Sequence, residues 1–139
     1  MNIIYTNEDG SVAVFTPTQE ALGLLTLDKI AERVVPNGVN YSIVSPDTLP
    51  TDRAFRGAWQ YDQDIVSVDL NKAKEISHSK RREARTAEFA PLDIQSTIPV
   101  LAEQAEAERQ LVRDKYAAIQ TQIDGATTVE DLKAIITQF

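Results

Sequence analysis

The sequence predicts an α+β fold. A small N-terminal antiparallel β unit with a short helix occupies residues 1–68, and a mainly helical region over 69–139 forms a helical hairpin or arm, ending in a long helix and a short return helix. Three observations lead there. Before Asp69 the apolar residues come in short or alternating runs separated by turn residues, the pattern of strands. After Asp69 the composition shifts to helix formers, and apolar residues recur three and four apart. The length of 139 residues suits one domain, or one small domain with a helical extension, and allows a modest core.

Ile3, Ile4 and Tyr5 form the first apolar run, and Val12, Val14 and Phe15 the second. Between them Asn7-Glu8-Asp9-Gly10 reads as a hairpin turn, with Gly10 supplying a positive φ. After Pro17, Thr18 and Thr26 suit the N-caps of two short helical segments, the second carrying Leu27, Ile30, Ala31 and Val34 at helical spacing. Pro36-Asn37-Gly38 stops it, with Gly38 near the left-handed position that ends many helices. Val39, Tyr41 and Ile43 alternate with polar neighbours and predict a half-buried strand. Pro46 and Pro50 exclude regular helix from the loop that follows. Asp52 can cap a short helix bearing Phe55 and Trp59 four apart on one face. Residues 60–64 read as a turn, and Ile65, Val66 and Val68 as a last strand. Up to Ile43, the first third of the chain, this gives two or three strands with one helix against them; the Ile65–Val68 strand comes in addition.

Asp69 opens a helix over about 70–85 with Leu70, Ala73 and Ile76 on one side, and its basic end, Lys80 to Arg85, suits the negative pole of the helix dipole. Pro91 and Pro99 are expected to break the stretch between, in which Phe89, Leu92, Ile94 and Ile98 offer anchors. A long helix from near Pro99 to Asp124-Gly125 carries a seam of Leu101, Ala105, Val112, Tyr116, Ile119 and Ile123, interrupted by Glu108, and a second stripe through Ala102, Leu111 and Ala118. Thr127 and Glu130 make a capping box for a return helix with Val129, Leu132, Ile136 and Phe139 on one face. That helix is too short to cover the seam's proximal half, Leu101 to Val112. The proximal half therefore calls for the 70–76 helix, a second copy or another protein.

Composition narrows the function classes. Fourteen Lys and Arg against 21 Asp and Glu give a net charge of −7, which disfavours general binding to nucleic acid or anionic membranes. No cysteine is present, so disulfides, thiolate metal sites and cysteine nucleophiles are excluded. Met1 to Asn7 lacks a basic region and a long apolar core, so no signal peptide is expected. No stretch approaches the roughly 20 apolar residues of a membrane span.

No constellation specifies a reaction. His78 is the only histidine and lies on the polar side of its helix, where a solvated surface residue is expected. Asp62, Asp64 and Asp69 lack the glycine and closing glutamate of a calcium loop and read as turn acids and a helix cap. Residues 72–85 carry six positive and two negative side chains, without the interleaved aromatics of a nucleic-acid footprint. The five glycines are scattered, which excludes a glycine-rich phosphate loop. The expectation is no enzyme, no cofactor, no metal and no small-molecule substrate.

The most distinctive stretch is Asp52-Arg53-Ala54-Phe55-Arg56-Gly57-Ala58-Trp59, followed by Tyr61-Asp62 and by Val66 to Ile76. It resembles a family of small tailed-bacteriophage proteins with a DRxFRxAW motif, a Lys/Arg-bearing helix and an Ala/Glu-rich helical end, here closed by Thr127 to Lys133. The resemblance runs in order along the chain and is specific from Asp52 to Arg85; the Pro-interrupted 86–100 segment departs from it. It implies a non-enzymatic virion structural protein, tail or tail-fibre associated, made in the host bacterial cytoplasm. The alternatives are a tail-fibre assembly chaperone not retained in the virion and a head decoration or connector protein. The implied partners are tail, fibre or baseplate proteins, or further copies of the chain. A trimer would match the threefold symmetry of phage fibres, although Glu108 and only about three heptads weaken the coiled coil.

Two readings of the motif compete. Phe55 and Trp59 either staple the N-terminal sheet to the helical half, with Arg53 and Arg56 pairing to Asp47, Asp52 or Asp62 on the surface, or the Arg/Trp face contacts another protein. The candidate interaction residues are accordingly Arg53, Phe55, Arg56, Trp59, Leu101, Val112 and Tyr116.

Overall fold

A computed structural model describes residues 1–139 and has the α+β architecture expected from the sequence. The chain divides into two compact units, Met1–Asp69 and Leu70–Phe139.

In the first unit, β1 (Asn2–Thr6) pairs antiparallel with β2 (Val12–Phe15) on one side and with β3 (Tyr41–Val44) on the other. Gly10 takes the left-handed conformation in the β1–β2 turn, at φ 79°. Two helices lie between β2 and β3: α1 (Gln19–Leu24) and α2 (Leu27–Val34), whose first turns are capped by the hydroxyls of Thr18 and Thr26. A second, two-stranded sheet follows from β4 (Trp59–Asp62) and β5 (Ile65–Val68).

The central sheet is covered on both faces, because neighbouring residues of a strand point to opposite sides. Ile3, Tyr5, Tyr41 and Ile43 pack with Ile30, Ala31 and Val35 of α2 and its end. Ile4, Val12 and Val44 pack with Trp59 and Val66 of the β4–β5 hairpin. Helices, three strands and a hairpin therefore form three layers. Asn2, at the start of the central strand β1, is buried but accepts a hydrogen bond from the Thr16 hydroxyl at 2.8 Å.

Two expectations fail here. Residues 60–64 are not simply a turn: Trp59–Asp62 is a strand, and only Gln63 and Asp64 turn, at φ 46° and 66°. A two-residue hairpin turn with both φ positive normally signals itself by Asn-Gly or Asp-Gly. The Gln-Asp pair hides it, and Asp64 is held by hydrogen bonds from Ser42 and Tyr61. Nor does Asp52 cap a helix bearing Phe55 and Trp59. Its carboxylate accepts from the Ala54 amide at 2.8 Å, a single 3-10 turn follows at Arg56–Ala58, and Trp59 already belongs to β4.

The second unit is an antiparallel hairpin of α3 (Leu70–Gln95) and α4 (Ala102–Gly125), with α5 (Val129–Ile136) folded back upon them. The polar pairs run in opposite directions along the two long helices: Asp93 with Arg109, Glu88 with Lys115, Lys74 with the C-terminal turn of α4. The expected break at Pro91 does not occur. Proline removes one helical hydrogen bond and costs on the order of 3 kcal/mol in a helix interior. Here Pro91 and Ala87, whose carbonyl loses its partner, both face solvent, while Leu92 is buried on the opposite side. The freed carbonyl belongs to an exposed residue, where the lost bond costs little, and the packing of Leu92 holds the helix. Pro99 lies in the interhelical turn, so α4 starts three residues later than expected. The cap of α5 is Thr128, which accepts from the Asp131 amide at 3.1 Å, one residue beyond the expected Thr127.

Candidate functional site

The DRxFRxAW residues form an interior arrangement. Trp59 is 1% exposed, and Phe55 and Ala58 are equally enclosed. The Arg56 guanidinium lies 4.3 Å from the centre of the Trp59 ring and donates to the Val12 carbonyl of β2 at 2.7 Å, while Arg53 approaches the same ring at 5.9 Å. Burial, with Arg53 beside it, pulls the Arg56 pKa below its ordinary value. The expected surface pairing of Arg56 with a carboxylate is therefore corrected to a stack on Trp59 and a bond to backbone. Phe55 and Trp59 are withdrawn from any partner, which removes them as an exposed interaction face. Only Arg53 of the four motif candidates is exposed.

The seam of α4 shows the same inward assignment. Ala105, Val112, Tyr116, Ile119 and Ile123 are buried, and only Leu101 of the expected set is exposed, at 38%. Val112 and Tyr116 are thus core rather than contact residues. The physical reason is the continuation of α3 through Pro91: its distal half lies along Ala105 and Val112, the part of the seam that the short return helix cannot reach. The Tyr116 hydroxyl donates to Glu88 Oε1 at 2.5 Å, and Lys115 Nζ reaches the same oxygen at 2.6 Å. These two bonds hold the Glu88 carboxyl below the usual range, while burial and the Glu88 charge push the Tyr116 phenol up to about 12.

His78 also departs from expectation. Its Nε2 lies 2.9 Å from Asp124 Oδ1, and Lys74 Nζ donates to the Asp124 carbonyl at 2.9 Å. Both side chains thus meet the C-terminal turn of α4, where the dipole is negative. His78 is a tether between helices and not a solvated residue.

The structure exposes instead the last turn of α3 and its connection to α4. Ile94 (68%), Ile98 (41%), Val100 (82%) and Leu101 stand in solvent, and residues 94–102 carry no charge. The anchors expected at Ile94 and Ile98 are therefore exposed, whereas Leu92 is buried and Phe89 half-buried. Four exposed aliphatic residues within eight positions form the kind of patch that marks an interaction site. The signal in the sequence is their position at a Pro-containing turn, where a helix seam cannot continue.

A second exposed feature lies toward the same end of the hairpin. Arg85 on α3, with Arg109 and Arg113 on α4, surrounds the Phe89 ring at 4.9, 5.9 and 6.0 Å and lines an open cleft of about 300 Å³. Sequence reasoning misses it; the available clue is two pairs spaced four apart, Arg85–Phe89 and Arg109–Arg113, on facing helices. No group of His, Cys, Asp and Glu side chains is arranged to hold a metal ion, and no helix is long and apolar enough to cross a membrane. No protein-family model, curated protein or solved structure matches this chain.

Proposed function

We propose that the chain is a non-enzymatic bacteriophage structural protein, associated with the tail or tail fibre, that attaches to other virion proteins through the end of its helical hairpin. The phage context rests on the resemblance of Asp52 to Arg85 to the DRxFRxAW family. The attachment role rests on one observation: the exposed, charge-free aliphatic stretch of Ile94 at the end of α3 and Ile98, Val100 and Leu101 in the connection to α4. Such a surface costs solubility unless it is covered, and a tail, fibre or baseplate protein or another copy of the chain would cover it.

Mass spectrometry of purified particles, with crosslinking from a photoreactive residue at position 100, tests the reading. The expected result is the protein in the particle, crosslinked to a tail or fibre protein or to itself. A protein absent from particles yet required for fibre assembly is instead the chaperone of the second reading, which the same exposed aliphatic surface favours. Absence from particles together with normal assembly without the gene overturns both.

A further inference from the structure

We propose that the cleft between Arg85, Arg109 and Arg113 over Phe89 is a binding site for a single carboxylate, that of an acidic side chain on a partner protein. Three guanidiniums gather on one ring, and two carboxylates already answer them. Glu106 accepts from Arg109 at 3.0 Å and from Arg113 at 2.8 Å, and Asp93 lies 3.2 Å from Arg109 Nε. Arg85 has no carboxylate; its guanidinium rests on the Phe89 ring at 4.9 Å. One positive charge is therefore left unmatched at the mouth of an open cleft.

The chemistry of the site selects the ligand. Guanidinium forks match carboxylate oxygens in two-point geometry, and an aromatic floor beside them packs the methylene stem of an acidic side chain. A monoanion balances the one charge that Asp93 and Glu106 leave; a phosphate dianion would bring a second negative charge next to those carboxylates. The two carboxylates show that this arginine set already binds groups of that kind. The cleft and the aliphatic turn between α3 and α4 together offer a partner one charged and one apolar contact.

The site is measurable on the purified chain without any particle, so its test is independent of the proposed virion role. The probe is a capped Ala-Ala-Glu-Ala-Ala peptide, with its Gln counterpart and inorganic phosphate as comparisons, followed through the arginine Nε–Hε resonances by NMR. The expected result is a saturable shift of the Arg85, Arg109 and Arg113 signals with the Glu peptide and none with the Gln peptide. Arg85→Gln is expected to weaken binding about tenfold, as loss of a charged hydrogen-bond partner does. Arg85→Lys, which keeps the charge and loses the fork, should fall between; Arg33→Gln in the first unit should change nothing. Absence of a saturable shift, or binding of phosphate as tight as that of the Glu peptide, overturns the proposal.

Discussion

The two units use charge and chain in opposite ways. Unit 1 has four basic and ten acidic residues, net −6, and its core joins strands that are far apart in sequence. Unit 2 has ten basic and eleven acidic residues, net −1, and many of them pair across or along the α3–α4 hairpin. In unit 1 the charged groups largely leave the core to Trp59 and the sheet, with Arg56 the exception. In unit 2 they rim a narrow apolar seam and fix how the helices lie side by side. The lesson is that unit 1 should fail through cavities, whereas unit 2 should respond to both cavities and pH.

The largest expected effect is in unit 1. Trp59→Ala removes the ring that fills the space between the central sheet and the β4–β5 hairpin, and should cost about 3–5 kcal/mol. Chemical denaturation followed by circular dichroism measures it. A loss under about 1 kcal/mol would show that the β4–β5 hairpin can close over the gap and would break the layered account of unit 1. Within unit 2, Leu132→Ala should cost about 2–4 kcal/mol, because Leu132 of α5 is fully enclosed. A smaller loss would mean that α5 contributes little to the hairpin.

How much of this is legible in the amino-acid sequence differs between the units for physical reasons. Turn glycines and threonine caps act locally, so Gly10, Gly38, Thr18 and Thr26 announce their roles through their immediate neighbours. The β4 strand stays hidden, because Gln63-Asp64 adopts a turn that such residues rarely make. The apolar seam of α4 is plain from its spacing, but the helix that covers it is not. A proline at position 91 signals a break, and only the solvation of its face, a tertiary property, lets α3 continue. The spacing of Phe55 and Trp59 marks them as large apolar anchors. Their packing within unit 1, Trp59 against the central sheet and the β4–β5 hairpin, and the Arg56–Trp59 stack both depend on how the chain folds around the ring. Of the candidate site, only Arg85 shows in the sequence, as the end of a charge run; its meeting with Arg109 and Arg113 on Phe89, 20 and 24 positions before them, depends on how α3 and α4 lie together.

Pro91 offers an intermediate effect of opposite sign. Pro91→Ala restores a backbone donor opposite the Ala87 carbonyl and should stabilise unit 2 by about 1–2 kcal/mol, less than the full proline penalty because the unfolded chain also gains freedom. No gain in the denaturation midpoint would show that the helix has already relaxed around the ring.

The pH response belongs to unit 2. With the Tyr116 phenol raised to about 12 from its ordinary 10, the unfolded chain ionises first as pH rises. Its contribution is fully present below pH 10 and is lost between 10 and about 12. Glu88, Glu106 and Asp131 are all held below their ordinary values, Glu88 by Lys115 and Tyr116, Glu106 by Arg113 and Asp131 by Thr128. Their contribution is present at neutral pH and lost as the medium becomes acidic. Stability of Tyr116→Phe measured at pH 9 and 11 should show a flatter alkaline decline than the parent; identical slopes would remove Tyr116 as its source.

The smallest effect on stability is expected where the proposed function lies. Ile94 and Val100 are largely exposed, so replacing both with serine removes little buried area, and the change should stay within about 0.5 kcal/mol. The same substitution deletes half of the aliphatic surface at the α3–α4 turn. If that surface is an attachment site, the double variant should melt as the parent does yet lose its crosslinks or its self-association, read by sedimentation over a concentration series. A clear destabilisation would show that the turn is packed within unit 2 and not offered to a partner. Unchanged association with unchanged stability would move the attachment away from the hairpin end, leaving the arginine cleft over Phe89 as the surface to test next.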